Sequence, residues 1–276
     1  MTNRIHPLGI YEKALPDFSD WNVAFDNARK CGFDYMELSV DETDQKLERL
    51  NWTRSQRQDF IKARMDSGIK VLSMCLSGHR KYPFGSHDVK IREKAKEIMQ
   101  KALELASDLG IRTIQLAGYD VYYEQSDKKT RELYAEGMMW ASQKAAAAQV
   151  MIATEIMDTP FQGTISAWKP YCDLVNSPWF CVYPDVGNLS AWAENVEKEL
   201  TLGISRIVAL HLKETLFLKD NSEKKFRDLS FGSGDVNFEE IFRILKKLNY
   251  RGSFVGASAA GESSESSWAQ PESKQF

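Results

Sequence analysis

An acid, a second acid and a histidine stand near the ends of three separate apolar runs: Glu155 in VMIATEIMD, Asp185 in CVYPDVGN and His211 in IVALHLKE. Mixed carboxylate and imidazole donors suit a divalent cation such as Mn²⁺, Zn²⁺ or Mg²⁺. Such a cation binds sugar hydroxyl and carbonyl oxygens. Chelated to a ketose carbonyl and its neighbouring hydroxyl, it acidifies the α-carbon proton and stabilises the enediolate that follows. Taken singly, Glu155 and Asp185 read as ordinary loop acids and His211 as a satisfied core histidine. Together, on successive strand tips inside runs otherwise apolar, they point to one site, because a charge there is costly unless paired or metal-bound. A fourth run, GSFVGAS, has small residues where a fourth such group is expected.

Other segments could serve the same chemistry. SGHRKYPFGS (77–86) sets His79, Arg80 and Lys81 beside Tyr82 and Phe84, which suits a sugar phosphate or simply a solvated basic loop. In FRDLSFGSGDVNF (226–238), Gly232 and Gly234 free backbone N–H groups of the kind that hold phosphate in barrels. Arg227 in that segment could pair with a substrate oxygen, and Asp235 is a candidate N-cap for a helix starting near Phe238. GIYEKAL places Tyr11, Glu12 and Lys13 at a strand tip and MELSVDE places Glu37 at another, where either could line a polyol pocket. Trp168, Trp179 and Trp192 read more readily as packing than as sugar platforms.

The elements that must position these residues alternate along the chain. Strand-like runs fall at 7–11, 35–40, 71–77, 113–118, 150–156, 180–186, 207–212 and 252–258. Helix-period segments lie between them at 21–31, 54–67, 90–109, 129–149, 166–175, 196–203 and 238–248. In the third, Ile91, Ala95, Ile98, Met99, Ala102, Leu103 and Leu105 recur at three- and four-residue spacing, and Gly110 closes it. Nearly all-apolar strands separated by amphipathic helices indicate a parallel sheet buried on both faces. The fold class is therefore α/β, and eight strands with seven connecting helices predict a (β/α)8 TIM barrel. No G-x-G-x-x-G follows the first strand, which weakens a dinucleotide-binding sheet. In a barrel the site lies at the C-terminal strand ends, and Glu155, Asp185 and His211 all fall at or near such ends.

Length and composition agree with a single barrel: 276 residues, 43 % hydrophobic and 27 % charged. A net charge of −3 supplies no basic footprint for nucleic acid. The four cysteines form no C-x-x-C pair and read as free thiols in a reducing compartment. The N-terminus lacks an apolar h-region and no run is long enough for a membrane span, so the expected location is cytoplasmic, with no membrane partner. The expected organisation is one barrel domain over 1–258 followed by a disordered Ser/Glu-rich tail over 259–276. That tail has no helical period, so the barrel's closing helix is expected to be missing.

LGIYEKAL, FDYMELSVDETD, SMCLSGHRKYPFGS, LGIRTIQLAGYDVYYE, EIMDTPF, YPDVGNLSAW, ALHLKET and LNYRGSF occur in order. Together they resemble the L-xylulose-5-phosphate (L-ribulose-5-phosphate) 3-epimerases of ascorbate and gulonate catabolism. These are xylose-isomerase-like TIM barrels, and some relatives have been called hexulose-6-phosphate isomerases. The resemblance runs from about residue 7 to residue 254. It implies a divalent metal (Zn²⁺, Mn²⁺ or Mg²⁺) held by two glutamates, an aspartate and a histidine, the glutamates also acting as acid and base on opposite faces of the substrate carbon. Carried over, these are Glu155, Asp185 and His211, with Glu155 also catalytic. Arg227, His79, Arg80, Lys213 and Glu12 complete the expected substrate-binding set. The second glutamate belongs shortly after RGSF, where Ala257 stands. The family's closing tryptophan and helix are likewise expected to be absent, and Glu262 and Glu265 in the tail sit too far on to replace the glutamate unless the tail folds back.

The implied reaction is proton abstraction at C3 of a sugar phosphate, giving a cis-enediolate, followed by protonation from the other face. Inversion needs a proton-transfer group on each face, so the expectation is an epimerase by descent with impaired activity. The alternatives are an aldose–ketose isomerase of the same barrel group and a non-catalytic sugar-phosphate-binding remnant. A metal-dependent endonuclease fits poorly with four histidines and no basic face. A homodimer is a candidate assembly.

Overall fold

The computed structural model describes residues 5–18, 20–217, 224–226 and 229–256. Its strands are β1 (Leu8–Tyr11), β2 (Tyr35–Val40), β3 (Lys70–Leu76), β4 (Thr113–Ala117), β5 (Met151–Glu155), β6 (Phe180–Tyr183), β7 (Ala209–Leu212) and β8 (Ser253–Gly256). All pair in parallel, in the order β6-β5-β4-β3-β2-β1-β8-β7. The two ends of that order, β6 and β7, meet through the bridges Val182–Ile207 and Asp185–His211, which nearly close the barrel.

Around the barrel lie α1 (Trp21–Lys30), α2 (Asp44–Leu47), α3 (Arg54–Ser67), α4 (Val89–Leu109), α5 (Lys128–Ala148), α6 (Ile165–Val175), α7 (Val186–Trp192), α8 (Val196–Gly203) and α9 (Phe238–Lys247). Local chemistry sets their ends. Thr53 and Gln56 form a capping box at the start of α3, and Gly68 ends it at φ 74°. Asp88 accepts from Lys90 N–H at the start of α4, and Gly110, at φ 71°, terminates it where a left-handed residue is needed. The seven longer helices lie where periodicity places them. The short α2 and α7 were not expected, since one or two turns carry too little pattern to stand out.

Two apolar layers result. One fills the space between strands and helices and includes Phe25, Phe60, Met36, Leu38, Trp168 and Phe180. Burying a side chain of the Phe60 kind contributes about 1.5–3 kcal/mol, and Phe60 packs edge-on against Trp21, 4.7 Å between centroids. The second layer fills the barrel interior with Tyr35, Ala153, Cys181, Tyr183, Ala209 and Val255. Gly9 makes room for this plug: a Cβ there would lie 2.4 Å from Cζ of Tyr35. The Tyr35 hydroxyl is satisfied by Ser253 Oγ and the Phe254 carbonyl, both at 3.0 Å.

The expected domain limit at 258, the tail over 259–276 and the absence of a closing helix concern residues beyond Gly256, outside the described residues. Ala257 and Arg227 lie outside them as well. Among the described residues, no helix is long and apolar enough to cross a membrane.

Candidate metal and sugar site

Three strand ends bring one ligand atom each from Glu155, Asp185 and His211 to within 4.8 Å of one another. Glu155 is the last residue of β5. Its Oε1 is 2.8 Å from Nδ1 of His211, and the Gln115 amide on β4 donates to its other oxygen. The close passage of β4 and β5 beyond this point requires Gly118, where a Cβ would sit 2.3 Å from the Glu155 carbonyl oxygen. Asp185 follows β6 and caps α7, its Oδ1 accepting from Asn188 N–H at 2.9 Å. Its Oδ2 lies 3.2 Å from Nζ of Lys213, which also donates to Asn188 Oδ1 at 2.6 Å. Asn188 is fixed in turn by donating from Nδ2 to the Ile156 carbonyl at 2.9 Å.

His211, on β7, is held on three sides. Its Nε2 is 2.8 Å from Glu37 Oε1, its Nδ1 faces Glu155, and its ring meets Tyr183 edge-on at 4.8 Å. Burial works against a charged imidazole, but the two carboxylates outweigh it and push the His211 pKa well above its usual value. Burial also opposes ionisation of Glu155. The facing His211 more than compensates, holding that carboxyl below the usual range. Asp185 is displaced the other way: burial raises it, the neighbouring Glu155 charge adds to this, and Lys213 only partly offsets them. A half-buried and a buried carboxylate converging with a buried imidazole form a hard oxygen–nitrogen donor set, and a divalent cation fits it better than the flanking Lys213 alone.

The other expected residues separate. Arg80 stands on the site side, with its guanidinium carbon 5.4 Å from the Tyr122 ring centroid and 5.8 Å from that of Tyr119, and its charge acts on Glu155. Tyr119 donates to Asp158 Oδ1 at 2.5 Å on the same rim. His79 does not join them. It is 7 % exposed, its Nε2 donates to the Ala95 carbonyl of α4 at 3.1 Å, and its ring packs on Phe84. Burial pushes its pKa down to about 4, so it is a neutral structural residue. Adjacent side chains diverge by about 120° in a 3₁₀ turn, and Ser77–Arg80 is one.

Glu12 is also taken up structurally. It accepts from Arg49 at 2.6 and 2.7 Å, from Lys46, and from the Ser39 N–H at 2.8 Å. Arg49 itself lies 4.9 Å over the Trp21 ring. The glycine-rich segment departs from the expected phosphate loop, because the Gly232 N–H donates to Glu214 Oε2 at 2.8 Å. The cap of α9 is Asn237, which accepts from Glu240 N–H, whereas Asp235 accepts from Phe217 N–H at 2.7 Å. Glu37, expected to line a pocket, is fully buried behind His211. Gln115 and Asn188 were missed. A lone glutamine inside the apolar run TIQLAG was the available signal for the first.

Comparison with known proteins agrees with this geometry. The family model for the xylose isomerase-like TIM barrel matches residues 25–271. SgbU of Escherichia coli strain K12, provisionally named an L-ribulose-5-phosphate 3-epimerase, is 57 % identical over 91 % of this chain and 88 % of its own. The L-ribulose-5-phosphate 3-epimerase UlaE of the same strain is 46 % identical over 92 % of this chain and 88 % of its own. Among solved structures, the 3-keto-D-glucoside 4-epimerase YcjR from E. coli superimposes with a TM-score of 0.75 at 17 % identity, covering 94 % of each chain.

Proposed function

This chain belongs to the xylose isomerase-like TIM barrel family, and from that premise we propose that it is an isomerase interconverting L-ribulose 5-phosphate and L-xylulose 5-phosphate at C3. One observation carries the reading. The ligand atoms of Glu155, Asp185 and His211 converge within 4.8 Å at the C-terminal strand ends, in a chain 46 % identical to an L-ribulose-5-phosphate 3-epimerase. Those three residues would hold a divalent cation, with Zn²⁺, Mn²⁺ and Mg²⁺ all compatible with the donors. Such a cation, when bound, supplies polarisation of the substrate's carbonyl and hydroxyl oxygens.

The residues of the chain supply the rest. Glu155 is the proton-transfer group at C3: its carboxyl is held ionised by His211 and oriented by the Gln115 amide. Lys213 and Arg80, the cations flanking the cluster, are the candidates for substrate oxygens and the phosphate, with Arg227 a third. Abstraction at C3 leaves a cis-enediolate, and inversion requires reprotonation on the opposite face. The partner for that face belongs on β8, and Ala257 stands at that place in the sequence. The proposal therefore includes impaired inversion, with ascorbate-type pentose phosphate catabolism in the cytoplasm as the setting.

The test incubates the Mn²⁺-loaded chain with L-ribulose 5-phosphate in D₂O and follows both deuterium entry at C3 and formation of L-xylulose 5-phosphate. Deuterium entry outpacing inversion, and lost by a factor of about 10²–10⁴ in Glu155→Gln, supports the reading. Rapid inversion would uphold the epimerase and refute the impairment. Carbonyl migration to C1 would replace the epimerase with an aldose–ketose isomerase.

A further inference from the structure

Glu37 lies in the middle of β2, completely buried. A buried carboxylate must be fully hydrogen-bonded to be tolerated, and Glu37 is. Its Oε2 accepts from the Ser73 hydroxyl on β3 at 2.6 Å and from the Tyr183 hydroxyl on β6 at 3.1 Å. Its Oε1 is left facing Nε2 of His211 on β7 at 2.8 Å. Four strands thus converge on one carboxylate behind the candidate ligand histidine. Glu37 has no exposed surface, so a direct part in proton transfer to a sugar does not suit it.

We propose that Glu37 is a positioning residue: it takes the Nε2–H hydrogen bond of His211, fixing the ring's tautomer and plane so that Nδ1 is presented to Glu155 and Asp185 as a ligand atom for a divalent cation. The inference rests on the metal-site reading above. An ionised carboxylate can only accept, so Glu37 keeps a proton on Nε2. Nδ1 faces the Glu155 carboxylate at 2.8 Å and carries a proton of its own, which a cation would displace while the Nε2–H stays on Glu37. Removing a carboxylate partner of this kind typically weakens metal affinity about 10–100-fold. Ser73 and Tyr183 act one step further back, by holding the Glu37 carboxylate in plane.

Two measurements on the full chain test this. In the first, Co²⁺ is titrated into the wild type, Glu37→Gln and Ser73→Ala, read by visible absorption, with thermal melts as a check on folding. Co²⁺ affinity falling about 10–100-fold in Glu37→Gln, and by less in Ser73→Ala, is the expected result. Equal affinity in the wild type and both folded variants overturns the proposal.

The second needs no variant at position 37. ¹⁵N–¹H spectra of the histidine rings are recorded with and without Zn²⁺, and His211→Gln identifies its signal among the four histidines. Protonated Nε2 with a Zn²⁺-shifted Nδ1 supports the assignment, and the opposite pattern overturns it. Protonated Nε2 with no response to Zn²⁺ would overturn the metal reading, and with it the ligand half of this inference, while upholding the hold of Glu37 on the ring.

Discussion

Asp185 and His211 face each other in a parallel bridge across the junction of β6 and β7, where the His211 N–H donates to the Pro184 carbonyl at 2.9 Å. These strands are the two ends of the sheet order, so two of the three converging side chains straddle the joint that nearly closes the barrel. Val208 N–H and the Val182 carbonyl, 3.2 Å apart, fasten it lower down. The candidate ligands therefore sit at the closure of the fold.

A divalent cation held by Glu155, Asp185 and His211, as proposed above, would stabilise the native state by mass action. At a metal concentration of 100 times Kd the gain is about 2.7 kcal/mol, or a rise in Tm of roughly 5–10 °C for a chain of this size. Differential scanning calorimetry with added Mn²⁺ and then with EDTA should show the rise and its reversal. An unchanged Tm at saturating metal would disconnect the cluster from metal binding.

Asp185 has two separable duties, since it caps α7 and contributes a converging oxygen. Asparagine caps a helix about as well as aspartate, whereas alanine costs about 1 kcal/mol. Asp185→Asn should thus lose metal affinity while unfolding at a higher denaturant midpoint than Asp185→Ala. Calorimetric metal titration and urea unfolding of the two variants check this, and identical unfolding midpoints would contradict the capping assignment.

Glu12 carries a pH-dependent share of stability. Burial opposes its ionisation, but the Arg49 guanidinium and the Lys46 ammonium outweigh burial and depress its pKa. A depressed carboxylate stabilises the native state above its unfolded pKa of about 4.3 and loses that contribution as the pH falls through the folded value. Breaking a buried pair costs about 3–5 kcal/mol, so Arg49→Met should destabilise by about 3 kcal/mol at pH 7. The penalty should shrink in urea melts run toward pH 3. A penalty independent of pH would place it in the stacking on Trp21 instead.

His79 works in a different window. Its folded pKa is pushed down to about 4, below the unfolded value of about 6.5. The unfolded chain therefore binds the extra proton first, and native stability falls as the pH drops from about 6.5 toward 4. The shift corresponds to roughly 3 kcal/mol at the low end of that range. His79→Gln should flatten this part of the stability–pH curve, and an unflattened curve would locate the titration elsewhere.

The barrel was legible because its strands are apolar on both faces and its long helices keep a clear period. Glu155, Asp185 and His211 stood out for the same reason, as polar breaks in apolar runs. What stayed hidden depends on direction. His79 and Arg80 are neighbours in sequence, yet the 3₁₀ turn sends one under α4 and the other toward the site. Glu12 and Glu37 both read as strand-tip acids, but Glu37 lies in the middle of β2, and each is consumed by partners from distant segments, Arg49 for one and Ser73, Tyr183 and His211 for the other. The Gly232 segment carries the composition of an anion loop, and only the position of Glu214 shows that its N–H is already used.

Tyr35 and Tyr183, 1 % and 0 % exposed, close the barrel's bore beneath the ligand cluster. A reactant and its isomer that use the same cluster would exclude one another while bound. Because the two isomers differ only in the hand of one carbon, every contact that captures the first also retains the second. Product competition is thereby built into the architecture, and net flux depends on the consumption of product by a following enzyme.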